Sequence, residues 1–142
     1  MSSLVRVRAR TIQIREAGLS ALYTPEMLAL SAELAGHPWS PDFAYQAESR
    51  SSVCGSTIAL GLDLSGDGVI DKIGARVSAC AVGQSATAIL AAGAKGASAE
   101  DIAVTLEALR RWLAKEGDLP DWPRLAAIAA ARDHPGRHGA LL

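Results

Sequence analysis

The spacing of apolar and polar residues changes along the chain, and each change predicts an element. Met27, Leu28, Leu30 and Leu34 form an apolar stripe behind Thr24, Pro25 and Glu26. Thr24 suits an N-cap, Pro25 the first helical position and Glu26 the first turn, so a helix starts here; Gly36 and Pro38 end it. Residues 38–52 place Trp39, Pro41, Phe43 and Tyr45 among polar neighbours and read as a connector with aromatic anchors. The period then falls to two. Ile58, Leu60, Leu62 and Leu64 share one parity, as a half-buried strand requires. Ser65-Gly66-Asp67-Gly68 is a turn signal, and Val69, Ile73 and Val77 follow in a second β-prone stretch, which completes a hairpin.

From Cys80 the pattern becomes helical, with Val82, Ala86, Ile89 and Leu90 on one face and Gly93, Lys95 and Gly96 at the end. Ser98 and Asp101 have the spacing of a capping box, and Ile102, Leu106, Leu109 and Leu113 continue a long amphipathic helix. Gly117 to Pro123 breaks it. Leu125, Ile128 and Ala129 predict a short further helix before Pro135. The expected class is α+β, a small antiparallel sheet built on a hairpin and packed against several helices. No internal repeat is evident.

Residues 1–18 differ from the rest. Val5, Val7 and Ala9 alternate with Arg6, Arg8 and Arg10, which suits either a strand with one wet face or a basic extension outside the fold. The extension is the preferred reading, which leaves 19–142 as the folded domain.

Composition narrows the function classes. The chain has 142 residues, 49% hydrophobic and 20% charged, enough to bury an ordinary core. With 14 Lys+Arg against 15 Asp+Glu, no global field draws it to nucleic acid or to an anionic membrane. The apolar runs fall short of the ~20 residues that cross a bilayer. No signal-peptide core precedes Cys54 and Cys80, so these read as thiols or metal ligands in a cytoplasmic protein rather than as a disulfide.

Asp63-x-Ser65-x-Asp67-Gly68 matches the first half of a calcium loop, but Gly74 stands where the bidentate acid belongs and the flanks alternate as strands. It reads as a turn. No nucleophile–base signature, P-loop or dinucleotide fingerprint is present, so acid–base enzymology is not expected. The thiols remain. Cys54 precedes the first hairpin strand and Cys80 follows the second, so the hairpin brings them together. Cys80 also heads a helix, where the dipole favours an anionic sulfur. Such a pair suits a soft metal, a cluster or a transferred sulfur atom; equally, both suit a buried core. His138 is a further potential ligand near the chain end, with His134 and Asp133 weaker ones.

Several blocks resemble the IscU/NifU-like scaffolds of iron–sulfur cluster assembly. Leu22-Tyr23-Thr24-Pro25-Glu26-Met27-Leu28 looks like their opening helix, and Cys54-Gly55-Ser56 like their first ligand triplet, with Ser56 in place of Asp. Ala79-Cys80-Ala81-Val82-Gly83-Gln84-Ser85-Ala86 is similar to the segment of their second cysteine, and Lys95-Gly96 to the step before their next helix. The resemblance implies a SufE/IscU-like fold and a scaffold rather than an enzyme. It further implies a transient [2Fe–2S] cluster, or iron or zinc, on Cys54 and Cys80, with Ser56 beside the site. A cysteine desulfurase would donate sulfur and apoproteins would receive the cluster, with the chain a monomer or weak homodimer. The family's third cysteine is absent: aligned on Pro135 and Arg137, its place falls on Ala140 and the adjoining ligand position on Gly139, with His138 the nearest substitute. The family's chaperone-recognition motif is also absent. The missing thiol keeps two alternatives open, a SufE-like persulfide acceptor and a diverged paralogue that binds no metal.

Overall fold

The structure is a computed structural model that describes residues 22–52 and 55–142. The basic stretch 1–18 lies outside the described residues.

Helix α1 spans Pro25–Glu33. The Thr24 hydroxyl accepts from the Met27 amide at 3.1 Å, which satisfies one of the orphan donors of the first turn. A single 3-10 turn, Leu34–Gly36, continues it. Three antiparallel strands follow in the order β1 (Tyr45–Arg50), β2 (Thr57–Leu64) and β3 (Ile70–Ser78). The β2–β3 hairpin is as expected. Its turn closes through the Gly68 amide on the Ser65 carbonyl at 3.0 Å, with Gly68 at φ +79°. The flanks of the calcium-like motif are strands, and Asp63 Oδ1 accepts from the Ala44 amide at 2.9 Å.

β1 corrects the reading of 38–52 as connector throughout. All six of its residues are exposed, so no buried parity marks it in the sequence. It is held by its register on β2, from Tyr45 opposite Leu62 to Arg50 opposite Thr57.

The two faces of the sheet are covered differently. Gly61 and Gly74 face each other across β2 and β3, and the Phe43 ring lies over both. The Pro38 carbonyl presses on Gly74, and the Arg76 guanidinium lies 4.6 Å from the centroid of the Trp39 ring. This explains why Ala59 and Gly61 are buried while Ile58, Leu60 and Leu62, expected to carry the burial, are only half-buried. Ile58, Leu60 and Val77 instead line a cavity of about 570 Å³ that reaches the helices.

Helix α2 spans Ala81–Ala94 and α3 spans Ala99–Leu113. Small residues let α1 and α2 approach closely: Ser85, fully buried, donates from its hydroxyl to the Met27 carbonyl at 2.7 Å. The capping box of α3 is complete, with Asp101 N to Ser98 Oγ at 3.1 Å and Ser98 N to Asp101 Oδ2 at 2.9 Å. Met27, Leu30, Val82, Ile89, Trp112 and Ile128 anchor the core. The short helix expected at Leu125 is instead a 3-10 segment, Leu125–Asp133, followed by a second, Pro135–Ala140. Leu125, Ile128 and Ala131 are its buried residues, and their spacing of three matches three residues per turn. The class is α+β, as expected.

Candidate functional site

Ser56 and Cys80, two of the candidate site residues, lie where β2, β3 and α2 meet. Thr57 lies opposite Ser78, so the chain just before β2 and the chain just after β3 leave the sheet at the same end. The connection from β1 to β2 is closed at its base: Ser51 N donates to Ser56 O at 2.8 Å and Gly55 N to Ser51 O at 3.0 Å. Gly55 has φ +71°, a conformation that glycine adopts at little cost and that fits a tight return of the chain. Cys54 belongs to this connection but lies outside the described residues. Ser56 is half-buried and shares the cavity wall with Ser49, Arg50, Ser51 and Ser52.

Cys80 is the N-cap of α2, with extended backbone at φ −66° and ψ 172°. It makes no side-chain capping bond, so its sulfur is not committed to the amides of the first turn. The residue is half-buried and rests on the core cluster. Around it Gln84 steadies the helix start, donating from its backbone amide to the Cys80 carbonyl and from Nε2 to the Ala79 carbonyl, both at 3.0 Å.

The C-terminal segment returns to this same turn. A Cβ placed on Gly83 would lie 3.5 Å from the Ala140 methyl, an ordinary contact distance, whereas it would crowd the Ala79 methyl at 2.8 Å. Ala140, the position of the missing third cysteine in the resemblance, is therefore delivered by the fold to the first turn of α2. His138 stands in the same 3-10 segment, half-buried. Its Nε2 is 2.9 Å from the Arg132 carbonyl, and since a carbonyl only accepts, Nε2 carries the proton. Nδ1 is left as the lone-pair donor, the arrangement in which a backbone carbonyl orients a ligating imidazole. Arg132 is itself fixed by donation from Nε to the Trp112 carbonyl at 2.9 Å. His134 and Asp133 contribute less: Asp133 is exposed and faces Lys115 at 4.0 Å. Among the described residues no group of three or more His, Cys, Asp and Glu side chains is placed to hold a metal ion.

Sequence reasoning did not single out Arg50, the one charged side chain in the cavity wall among the described residues, nor show that 139–142 share that wall with the serines. The polar character of β1 concealed the first; the second is visible only once the chain end is seen to fold back.

Together these features define a small α+β domain whose candidate site residues Ser56 and Cys80 lie at one end of an antiparallel sheet, beside the start of a helix. No protein-family model matches the chain, and no curated protein matches it. Solved structures do. The crystal structure of a nitrogen-fixing NifU-like protein (N-terminal) from Brucella abortus is similar at a TM-score of 0.77 and 26% identity, covering 88% of each chain. That of a putative iron–sulfur cluster assembly scaffold protein for the SUF system from Fervidobacterium islandicum AW-1 also reaches 0.77, at 14% identity, covering 87% of this chain and 90% of that one. A hypothetical protein solved at 2.3 Å follows at 0.62 and 15% identity over 81% of this chain and 88% of that one. The fold is the IscU/NifU-like one, and the resemblance read from the sequence blocks holds in three dimensions. Among the described residues no helix is long and apolar enough to cross a membrane.

Proposed function

We propose that this chain is an iron–sulfur cluster assembly scaffold, which holds a [2Fe–2S] cluster transiently as cargo and passes it on. The observation that carries the reading is the uncommitted Cys80 thiol at the head of α2, with the C-terminal turn folded against that head, in a fold shared with a NifU-like protein. Cys54 and Cys80 are the ligands in this reading, His138 joins through Nδ1, and Ser56 is the neighbour of Cys54. Thiolates and imidazole suit ferric iron, and they suit zinc as a resting occupant of the same donors. A cysteine desulfurase supplies the sulfur and apoproteins take the cluster, in the cytoplasm; the chain catalyses no reaction of its own.

The test is anaerobic loading with iron and sulfide, followed by visible absorption and by native mass spectrometry. Wild type is expected to gain sulfide-dependent absorption and a cluster mass, both lost in the Cys54→Ala, Cys80→Ala double variant. Equal loading of the double variant would remove both cysteines from the site.

The alanine at residue 140 favours a second reading, a SufE-like sulfur acceptor, because sulfur relay needs one thiolate and no ligand set. The acceptor thiolate attacks the outer sulfur of the desulfurase persulfide, the S–S bond breaks, and the desulfurase leaves as its thiolate. A gain of one sulfur atom in the mass of metal-free protein, absent in one of the single cysteine variants, distinguishes this reading from the first.

A further inference from the structure

The cavity between sheet and helices has two unlike parts. Its volume of about 570 Å³ falls in the range of cavities that take small molecules. Ile58 and Leu60 of β2 border it together with Ile102 and Leu106 of α3, and all four are half-buried. Apolar side chains inside one domain ordinarily close on each other at crystal-like density; these keep a space between them. The polar side chains on the helical part of the wall are already committed. Thr87 Oγ1 donates to the Gly83 carbonyl at 2.9 Å, Thr105 Oγ1 to the Asp101 carbonyl at 2.7 Å and Trp122 Nε1 to the Ile89 carbonyl at 2.9 Å. That part therefore offers an occupant apolar surface and no spare proton donor.

The part formed by β1 and the start of β2 is polar, with Ser49, Arg50, Ser52 and Thr57 all exposed. No Asp or Glu side chain lines the cavity among the described residues, and Arg50 forms no ion pair there, whereas Arg76 is paired with Glu48. The carboxylate of Leu142 borders the same wall without pairing to Arg50. An unpaired guanidinium thus stands at the edge of an apolar chamber. We propose that this cavity binds a fatty acid of medium chain length, with the alkyl chain along the apolar wall and the carboxylate on Arg50. A guanidinium meets a carboxylate through two parallel N–H···O bonds. One guanidinium also balances one negative charge, where a phosphate monoester with nearly two would leave charge uncompensated. The binding site is independent of the scaffold reading and stands or falls without it.

Titration calorimetry of the full chain with octanoate, decanoate, decanol and decyl phosphate, each below its micelle concentration, tests this, with methyl NMR shifts to locate the ligand. Decanoate should bind one per chain and shift the methyls of Leu60, Leu106 and Ile128. Shortening it to octanoate should weaken binding about ten-fold, because each buried methylene contributes roughly four-fold. Arg50→Gln should weaken decanoate about five-fold, the scale of an exposed ion pair, and leave decanol unchanged. Ala86→Phe, which fills the cavity from α2, should abolish binding; if that variant misfolds, the chain-length series and Arg50→Gln still decide. Absence of saturable binding, indifference to chain length, or full decanoate affinity in Arg50→Gln would overturn the site. Tighter binding of decyl phosphate than of decanoate would overturn the carboxylate head. Self-association in sedimentation that excludes decanoate would give the cavity to a second copy and overturn the proposal.

Discussion

Ala140 lies beside Gly83 in the first turn of α2: a Cβ at residue 83 would stand 3.5 Å from the Ala140 methyl. That proximity brings the last turn of the chain to the first turn of α2, the helix that Cys80 precedes as N-cap residue. Gly83→Ala would also place its methyl 2.8 Å from Ala79 Cβ, too near for the backbone on either side to stay where it is. Overpacking of this kind costs about 1–3 kcal/mol, against about 1 kcal/mol regained from helix propensity. We expect a net loss of up to about 2 kcal/mol in urea unfolding, together with weaker iron loading although both cysteines remain. Unchanged loading would show that the position of the C-terminal turn is irrelevant to the site.

Cys80→Ala separates ligation from packing. The residue is half-buried and its sulfur makes no capping bond, so little of the fold depends on it. Stability should change by less than about 1 kcal/mol, the range of a substitution that opens no large cavity. Iron or zinc binding, followed by calorimetry or by metal content after desalting, should fall at least ten-fold. Retained binding would remove Cys80 from the ligand set.

Ser85 ties α1 to α2, donating to the Met27 carbonyl at 2.7 Å from a fully buried position; the Ala81 carbonyl is equally near. Ser85→Ala removes that donor without adding bulk. A loss of about 1–2 kcal/mol is expected, with the denaturant slope unchanged. An unaffected midpoint would mean that the small-residue interface, rather than this bond, holds the helices together.

These elements also show what was legible in the sequence. Local chemistry was: Thr24, Ser98 and Asp101 cap the helices they were expected to cap, and Ser65–Gly68 turns the hairpin. A cap or a turn is decided by the residues that form it, so a linear reading captures it. β1 was not legible, because Tyr45–Arg50 is held by pairing with β2 and buries neither face. The half-burial of Ile58, Leu60 and Leu62 also depends on a distant element, since the Phe43 ring and Pro38 carbonyl seal the opposite, glycine face. At the site, Cys80 at the helix start followed from periodicity. The delivery of Ala140 to that start did not, although the spacing from Pro135 and Arg137 already placed the missing ligand on it.

The glycine face of the sheet offers a coupled test. A Cβ on Gly61 would run into the Phe43 ring, and one on Gly74 into both that ring and the Pro38 carbonyl. A ring can be removed by mutation; a backbone carbonyl remains. Gly61→Ala and Gly74→Ala should each cost about 1–3 kcal/mol. In the Phe43→Ala background Gly61→Ala should become markedly cheaper, a coupling of about 1 kcal/mol or more, whereas Gly74→Ala should remain costly. Equal rescue at both positions would place the obstruction at residue 74 on the ring alone.

Two surface carboxylates make stability depend on acid. Donation from Arg124 holds the Glu33 carboxyl below its ordinary range, through a bidentate contact with Arg124 Nη1 at 2.5 Å and Nη2 at 3.2 Å. Hydrogen bonds from the Ser98 backbone and hydroxyl do the same for Asp101 in the capping box. A carboxyl whose folded pKa is depressed binds protons more readily in the unfolded chain. Its contribution is therefore complete above the unfolded value, about 4 for these groups, and is lost as the pH falls through the lower folded value. Both groups are exposed, so salt should weaken the effect. Unfolding midpoints measured between neutral and acid pH should converge for wild type, Glu33→Gln and Asp101→Asn as the acid limit is approached, and separate above it. A gap that persisted undiminished into acid would mean that these side chains stabilise the fold by geometry rather than by charge.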